Sequence, residues 1–484
     1  MTTSLVLVTG ATGYIGGRLI PRLLEAGYAV RAMARSPERL DLHPWRSEVE
    51  VVQGDALDAE SVKAAAAGAS YAYYLIHSMD GTGNFSERDA AAARNFRDAA
   101  EAAGMKRIVY LGGMGEERDD LSPHLTSRHE VGRILASGPT PVSELRAAVI
   151  IGSGSVSFEM LRYLTEVLPV MTTPSWVRTR CQPVAIRDIL SALVSSLEDE
   201  GSQSSVEEIG GPDVLTYEEM MHQYAEVAGL RRRRIIPVPV LSPGLSSRWV
   251  GLVTPLPVGV ARPLIDSLRN EVVIRPERGF EPQPKTTYRE SVELALESSR
   301  ESSLTRWSDS AGPAAALPTD PDWSGGTLLS NRQQVETTAD PDALFGTFSR
   351  VGGSHGYFTM DFLWHLRGWL DQLVGGIGLR RGRRHPIELR PGEAVDFWRV
   401  ENVEPPRRLR LRAEMRLPGV ATLEWTAREA PGGGAILTQE ALFRPRGLSG
   451  RLYWYALYPA HVLIFGRMAR KIATAAEDQA LMEL

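Results

Sequence analysis

Three glycines at a spacing of three, Gly10, Gly13 and Gly16, stand in the run Leu5-Val-Leu-Val-Thr-Gly-Ala-Thr-Gly-Tyr-Ile-Gly16. Glycine reaches backbone angles closed to other residues and leaves no side chain over its N–H. Such a run suits the close approach of a pyrophosphate. A second group is cationic: Arg35 with Ser36, and Arg31 upstream. A guanidinium grips a phosphate in a bidentate manner. Other chemistries lack their residues. The nine histidines form no His-x-x-x-His helix with a carboxylate partner, and the single cysteine, Cys181, builds neither a zinc site nor an intramolecular disulfide. No Gly-x-Ser-x-Gly elbow is present, which argues against a hydrolase of that kind.

These residues need a strand, a turn and a helix to position them. Leu5 to Val8 is an apolar run ending at Gly10, and Ile15, Leu19, Leu23 and Leu24 recur at helical spacing. The helix N-terminus then offers unpaired N–H groups and its positive dipole end to the phosphates. Pro21 lies inside the helical pattern and removes one backbone hydrogen bond, so a mild kink is expected there, eased by Gly17 four residues back. Further strands read as 29–34, 48–52, 72–76, 107–111 and 144–152, with a helix over 90–103. For these strands and helices the family resemblance given next implies an α/β doubly wound parallel sheet, a Rossmann fold. In that fold the end of the second strand meets the adenosine ribose. Arg35 and Ser36 occupy it where an acidic residue would select NAD, so NADP is the expected cofactor, with NAD still open. The other reading of Arg35 is a solvated strand-end charge.

Thr9-Gly-Ala-Thr-Gly-Tyr-Ile-Gly16 resembles the Thr-Gly-x-x-Gly-x-x-Gly signature of short-chain dehydrogenases/reductases, in their extended and atypical, NmrA-like branches. Glu144 to Gly152 resembles those members' Leu-Arg strand, and Arg180 to Ile189 their cleft-crossing Pro-Val-x-Val-x-Asp-Val segment. Glu207 to Pro212 and Leu215 to Met220 resemble the strand and capped helix that follow, with Thr216 and Glu219 at capping-box spacing. The likeness covers roughly residues 1 to 295. It implies a nicotinamide dinucleotide held by Gly10, Thr12, Gly13, Tyr14, Ile15, Gly16, Arg35, Ser36, Asp55, Ala56, Ile76, His77 and Gly112. Asp55 would accept from the adenine amino group, while Asp58 reads as a helix cap. The family places Pro-Tyr-x-x-Ser-Lys where this chain has Pro123-His-Leu-Thr-Ser-Arg128. His124 and Arg128 thus stand for the catalytic tyrosine and lysine, four residues apart on one helix face. His124 would act as general acid and Arg128 would hold the nicotinamide ribose. Gly112 and Gly113 replace the usual serine or threonine. These departures leave two readings: an NADP-dependent oxidoreductase acting on a small or apolar carbonyl compound, or an inactive NAD(P)-binding redox or ligand sensor. Epimerase chemistry is disfavoured by the missing tyrosine.

With 484 residues the chain should hold more than one domain. Residues 1–299 read as the dinucleotide-binding domain, 300–326 as a Ser/Pro/Gly-rich linker and 327–484 as a second domain; Trp307 and Trp323 argue that the linker lies against a domain. Arg231 to Arg234 read as a solvated helix end. In the second domain the pattern gives a short helix at 341–348, an aromatic helix at 358–373 with Phe362, Leu366, Trp369 and Leu373 on one side, and strands over 394–403, 408–416, 421–429 and 435–444. A helix over 450–476 ends the pattern. This order resembles the Bet v 1/START-like helix-grip fold, an α+β domain. The 375–384 arginine run and the 453–461 aromatic run also resemble an uncharacterised domain fused to short-chain reductases. In a helix-grip fold, Trp364, Trp369, Phe397, Trp425, Tyr453, Trp454 and Tyr458 would line a cavity for an apolar ligand; packed core is the alternative. The arginines would hold an anionic head, or form a solvated loop.

The net charge of −5 favours no nucleic acid. No basic leader and no 18-residue apolar run occurs, so a cytoplasmic location without a transmembrane span is expected, with peripheral membrane contact left open.

Overall fold

An apolar run buried on both sides puts β1 (Leu5–Thr9) at the centre of a seven-stranded sheet. Val6, Leu7 and Val8 are wholly buried, as a strand covered by helices on both faces requires. The structure is a computed structural model that describes residues 4–41, 43–76, 85–115, 121–197, 203–238, 265–301, 327–373, 382–385 and 388–482. Around β1 lie β2 (Ala29–Ala34), β3 (Glu50–Gln53), β4 (Tyr71–Tyr74), β5 (Arg107–Gly113), β6 (Val142–Ala147) and the edge strand Ser205–Ile209. Every neighbouring pair is parallel. Across the sheet the order is Ser205–Ile209, β6, β5, β4, β1, β2, β3. The chain therefore winds outward from β1 and restarts beside it at β4. Two connections depart in opposite directions there, leaving a crevice beyond the carboxyl ends of β1 and β4.

The helices α1 (Tyr14–Glu25), α2 (Ala59–Ala66), α3 (Phe85–Ala102) and α4 (Pro123–Ala136) start where their caps dictate. Asp58 accepts from the Glu60 N–H at the head of α2, and Ser122 from the Leu125 N–H at the head of α4. Thr216 and Glu219 form the full reciprocal capping box of the helix Tyr217–Val227. Pro21 lies within α1 without ending it.

Two sequence expectations give way here. The expected strand 144–152 divides: β6 stops at Ala147, and Ile150–Ile151 pairs with Val184–Ala185 instead. The Arg231–Arg234 run is not uniformly solvated. Arg233 is buried, and its Nε donates to the Thr165 carbonyl at 2.7 Å in the last turn of the helix Val156–Val167. A carbonyl left over at a helix end is what a guanidinium satisfies.

The chain divides into two compact units, residues 1–326 and 327–484. In the second, a six-stranded antiparallel sheet runs in the order Leu329–Thr337, Ala435–Pro445, Gly419–Glu429, Arg408–Ala413, Trp398–Glu404, Ala394–Val395. The long helix Gly447–Met482 and the shorter Pro341–Phe348 and Asp361–Leu373 accompany it. Of the seven aromatic residues expected around a cavity, only some are there. Trp364, Tyr453 and Trp454 line one, whereas Phe397 and Trp425 are wholly buried in the core and Trp369 and Tyr458 are exposed. The stripe Phe362, Leu366, Trp369 and Leu373 faces solvent within this unit instead of its core. Trp307 and Trp323 lie outside the described residues.

Candidate functional site

The turn between β1 and α1 is built from its glycines. Gly10 has φ +71°, and the Gly13 N–H donates back to the Gly10 carbonyl at 2.9 Å. A Cβ on Gly16 would stand 2.3 Å from that same carbonyl oxygen, so only glycine lets α1 sit this close to the turn. Gly13 is exposed and forms the N-cap of α1 without a side chain closing it, and no acidic residue occupies the first turn. The first N–H groups are thus left for an anion, with the dipole favouring negative charge. These features fit a dinucleotide pyrophosphate. Thr12, Tyr14 and Ile15 are half-buried around the turn.

Arg18, four residues after Tyr14, escaped the sequence reading. Its guanidinium is buried 4.0 Å from the Tyr14 ring centroid and donates to the Tyr14 and Ser153 carbonyls. The Tyr14 hydroxyl in turn lies where a Cβ on Gly152 would be, 2.3 Å away. The only sequence signal was a basic residue on the buried face of a strongly patterned helix.

Arg35 is exposed at the end of β2, beside half-buried Ser36, and its carbonyl accepts from Gln53 Nε2 at 3.2 Å. Arg31 is spent on structure: it donates to the Ala65 and Ala67 carbonyls and pairs with Glu50 at 2.9 Å. Asp55 is exposed, and its Oδ1 accepts from the Leu57 N–H at 3.0 Å. Ala56 is buried and its carbonyl accepts from Asn95. Ile76 is half-buried just past β4, and His77 lies outside the described residues.

A second group gathers where α4 packs on the end of β5. Arg128 donates to the Leu111 carbonyl, and its guanidinium carbon stands 5.3 Å from the Tyr110 ring centroid. Burial, and next the Arg128 charge, push His124 down to about 4, so near neutral pH it is an uncharged ring. A tyrosine does touch Arg128, but it is Tyr110 in the strand behind. It is fully buried, donates its proton to the Arg128 carbonyl at 2.9 Å, and burial holds it up at about 12. It is no substitute for the family's acid. His129, missed by the sequence reading, is buried and donates from Nε2 to the Gly113 carbonyl at 3.1 Å. Gly112 faces the buried Glu144–Arg146 ion pair (2.7 Å): a Cβ there would come 3.0 Å from Glu144 Oε1. Past the end of β5, Met114, Gly115, Leu121, Glu208, Asn270 and Arg275 line a cavity of about 310 Å³. Glu208 is buried there and accepts from the Arg275 backbone N–H and Nε, both at 2.8 Å. Among the described residues no cluster of metal-binding side chains occurs, and no helix is long and apolar enough to cross a membrane.

Residues 10–147 match a family described as NAD(P)H-binding, and residues 323–468 match one described as a protein of unknown function, DUF2867. The mitochondrial NADH dehydrogenase (ubiquinone) 1 alpha subcomplex subunit 9 of Arabidopsis thaliana is 28% identical over 228 residues, 46% of this chain and 56% of its own length. This chain therefore spans little more than half of that relative. The (4-alkanoyl-5-oxo-2,5-dihydrofuran-3-yl)methyl phosphate reductase of Streptomyces griseus is 28% identical over 274 residues, 55% of this chain and 87% of its own. The triphenylmethane reductase of Citrobacter sp. superposes with a TM-score of 0.50 at 23% identity, over 60% of this chain and 99% of that one, which shows a shared fold. The chain thus carries an NAD(P)H-binding Rossmann domain of the short-chain dehydrogenase/reductase, NmrA-like kind, followed by a DUF2867 domain.

Proposed function

We propose that this protein is an NADP-dependent oxidoreductase that reduces a small or apolar carbonyl compound. The observation that carries the reading is the union of an uncapped glycine turn at the β1–β4 crevice with a histidine–arginine pair at the end of β5. The glycine turn would hold the pyrophosphate, Arg35 with Ser36 the 2′-phosphate, and Asp55 the adenine. When bound, NADPH supplies a hydride. This chain's own task is then to orient the carbonyl compound and to stabilise charge on its oxygen. His124, uncharged near neutral pH, would do this as an N–H hydrogen-bond donor; a charged general acid would be scarce for a ring that titrates at about 4. Arg128, anchored on the Leu111 carbonyl, adds fixed positive charge beside it. The cavity past β5 is a candidate seat for the substrate. The order of short helix, antiparallel sheet and long helix in the second unit supports a helix-grip relationship, and a cytoplasmic location belongs to the same proposal.

The low-lying His124 also supports the sensor reading, in which NADPH is bound without turnover. NADPH consumption with a panel of aldehydes, ketones and quinones separates the two. Oxidation with any panel member, lost in His124→Phe with NADPH affinity kept, supports the reductase. Tight NADPH binding with no oxidation across the panel supports the sensor.

A further inference from the structure

The second unit encloses a cavity of about 590 Å³ between the helices Asp361–Leu373 and Gly447–Met482 and the sheet. It is walled by apolar groups, among them Leu423, Ala441, Phe443 and Ile464. Three buried polar atoms of its lining residues have no hydrogen-bond partner: Trp364 Nε1, Trp398 Nε1 and His461 Nδ1. Trp364 and His461 belong to one aromatic group, since both rings pack on Phe465, with centroids 6.4 and 5.4 Å from it. A buried donor without an acceptor costs free energy on the order of 1–3 kcal/mol, and folded proteins seldom leave one. Burial, and next Arg367, push His461 down to about 4, so its ring is neutral. Leu366 and Ala460 line the same cavity and are exposed, which opens it to solvent between the two helices.

We propose that this cavity is a binding site for a largely apolar molecule bearing one hydrogen-bond-accepting oxygen, with Trp364 Nε1 as the donor to that oxygen and His461 as its polar neighbour. The indole can only donate, so the ligand must supply an acceptor. The wall is otherwise mainly apolar, which selects hydrocarbon for the remainder. The shared chemistry is an oxygen at the end of a hydrocarbon body, either a neutral carbonyl or a carboxylate. Arg367, which lines the cavity and donates to the Tyr453 hydroxyl, would favour the carboxylate.

Equilibrium dialysis of the full-length protein against 2-dodecanone, dodecanoate and dodecane tests this. The expected result is roughly ten-fold tighter binding of one or both oxygenated probes than of dodecane, the size of one hydrogen bond to an otherwise unpaired buried donor. Trp364→Phe should remove that preference while dodecane binding persists. Preference for dodecanoate over 2-dodecanone assigns a carboxylate ligand; the reverse assigns a neutral carbonyl. Ala460→Trp narrows the mouth from an exposed position and should weaken all three probes. Near-ultraviolet circular dichroism and the thermal transition of the second unit should stay close to wild type in both variants, which reports that this unit remains folded. Equal affinity for the three probes, no binding of any, or binding untouched by Ala460→Trp overturns the proposal.

Discussion

Trp45 Nε1 donates to the Gly17 carbonyl at 3.1 Å. In a regular helix that carbonyl would accept from the N–H of residue 21, and residue 21 is Pro21. The indole, 4% exposed, supplies the donor that the proline withholds, so α1 runs on to Glu25. Trp45→Phe should therefore destabilise the protein by about 1–2 kcal/mol, one hydrogen bond with its carbonyl left unpaired. Pro21→Ala should restore part of that loss in the double variant. Urea unfolding of the four-member cycle measures it; additive effects would separate the two residues.

Gly16→Ala places a Cβ against the Gly10 carbonyl and must push α1 off the turn. NADPH affinity should fall by at least about 100-fold, as expected where a backbone approach is lost to a fixed clash. Isothermal titration reads the change, and an affinity within a factor of three of wild type would refute the role of this turn.

Arg35→Ala should weaken NADPH by about 1–3 kcal/mol, the range for a lost charge-assisted contact, and leave NADH nearly unchanged. Titration of both dinucleotides against both proteins gives the answer. Equal wild-type affinity for NADH and NADPH would remove the basis of the argument.

His124 carries the pH prediction for turnover. A neutral donor should keep the rate flat from pH 8 down to about pH 5, because the ring takes a proton only near 4. His124→Phe should cost about 10²–10³-fold in kcat, as for a lost oxyanion donor. A rate that instead climbs steadily as pH falls from 8 to 5 would mean that the charged ring is the working form.

Stability should follow the same histidines. His124 and His461 both sit near 4 when folded, below the ordinary value of 6.5. The unfolded chain then binds more protons between pH 6.5 and 4, so their contribution is complete above 6.5 and drains away as pH falls towards 4. Each ring accounts for on the order of 3 kcal/mol. Chemical unfolding at pH 7 and 4.5 should show a smaller loss in the His124→Gln, His461→Gln double variant than in wild type.

What the sequence made legible was periodic or punctuated. The run Leu5 to Val8, the glycines, Asp58 and the Thr216–Glu219 pair each act through local backbone geometry, and each lies where local rules put it. Contacts between distant segments were not legible. Nothing in the spacing of Trp45 and Gly17 announces their hydrogen bond, and nothing in Arg18 announces Ser153. The stripe Phe362, Leu366, Trp369 and Leu373 has core periodicity yet is exposed within its unit, because periodicity marks an apolar face and not what covers it. The lowering of His124 depends on burial that only tertiary packing provides.

The Glu144–Arg146 pair has a consequence for what the end of β5 can accept. Glu144 Oε2 fills the place of a Cβ on Gly132, 2.3 Å away, while Oε1 crowds Gly112. A serine at position 112 would bring its Cβ to 3.0 Å from Oε1, so the carboxylate must shift to admit it while its other oxygen is held against Gly132. A side chain at the end of β5 is therefore coupled to the setting of a buried ion pair in β6, and changes in the two strands should prove non-additive.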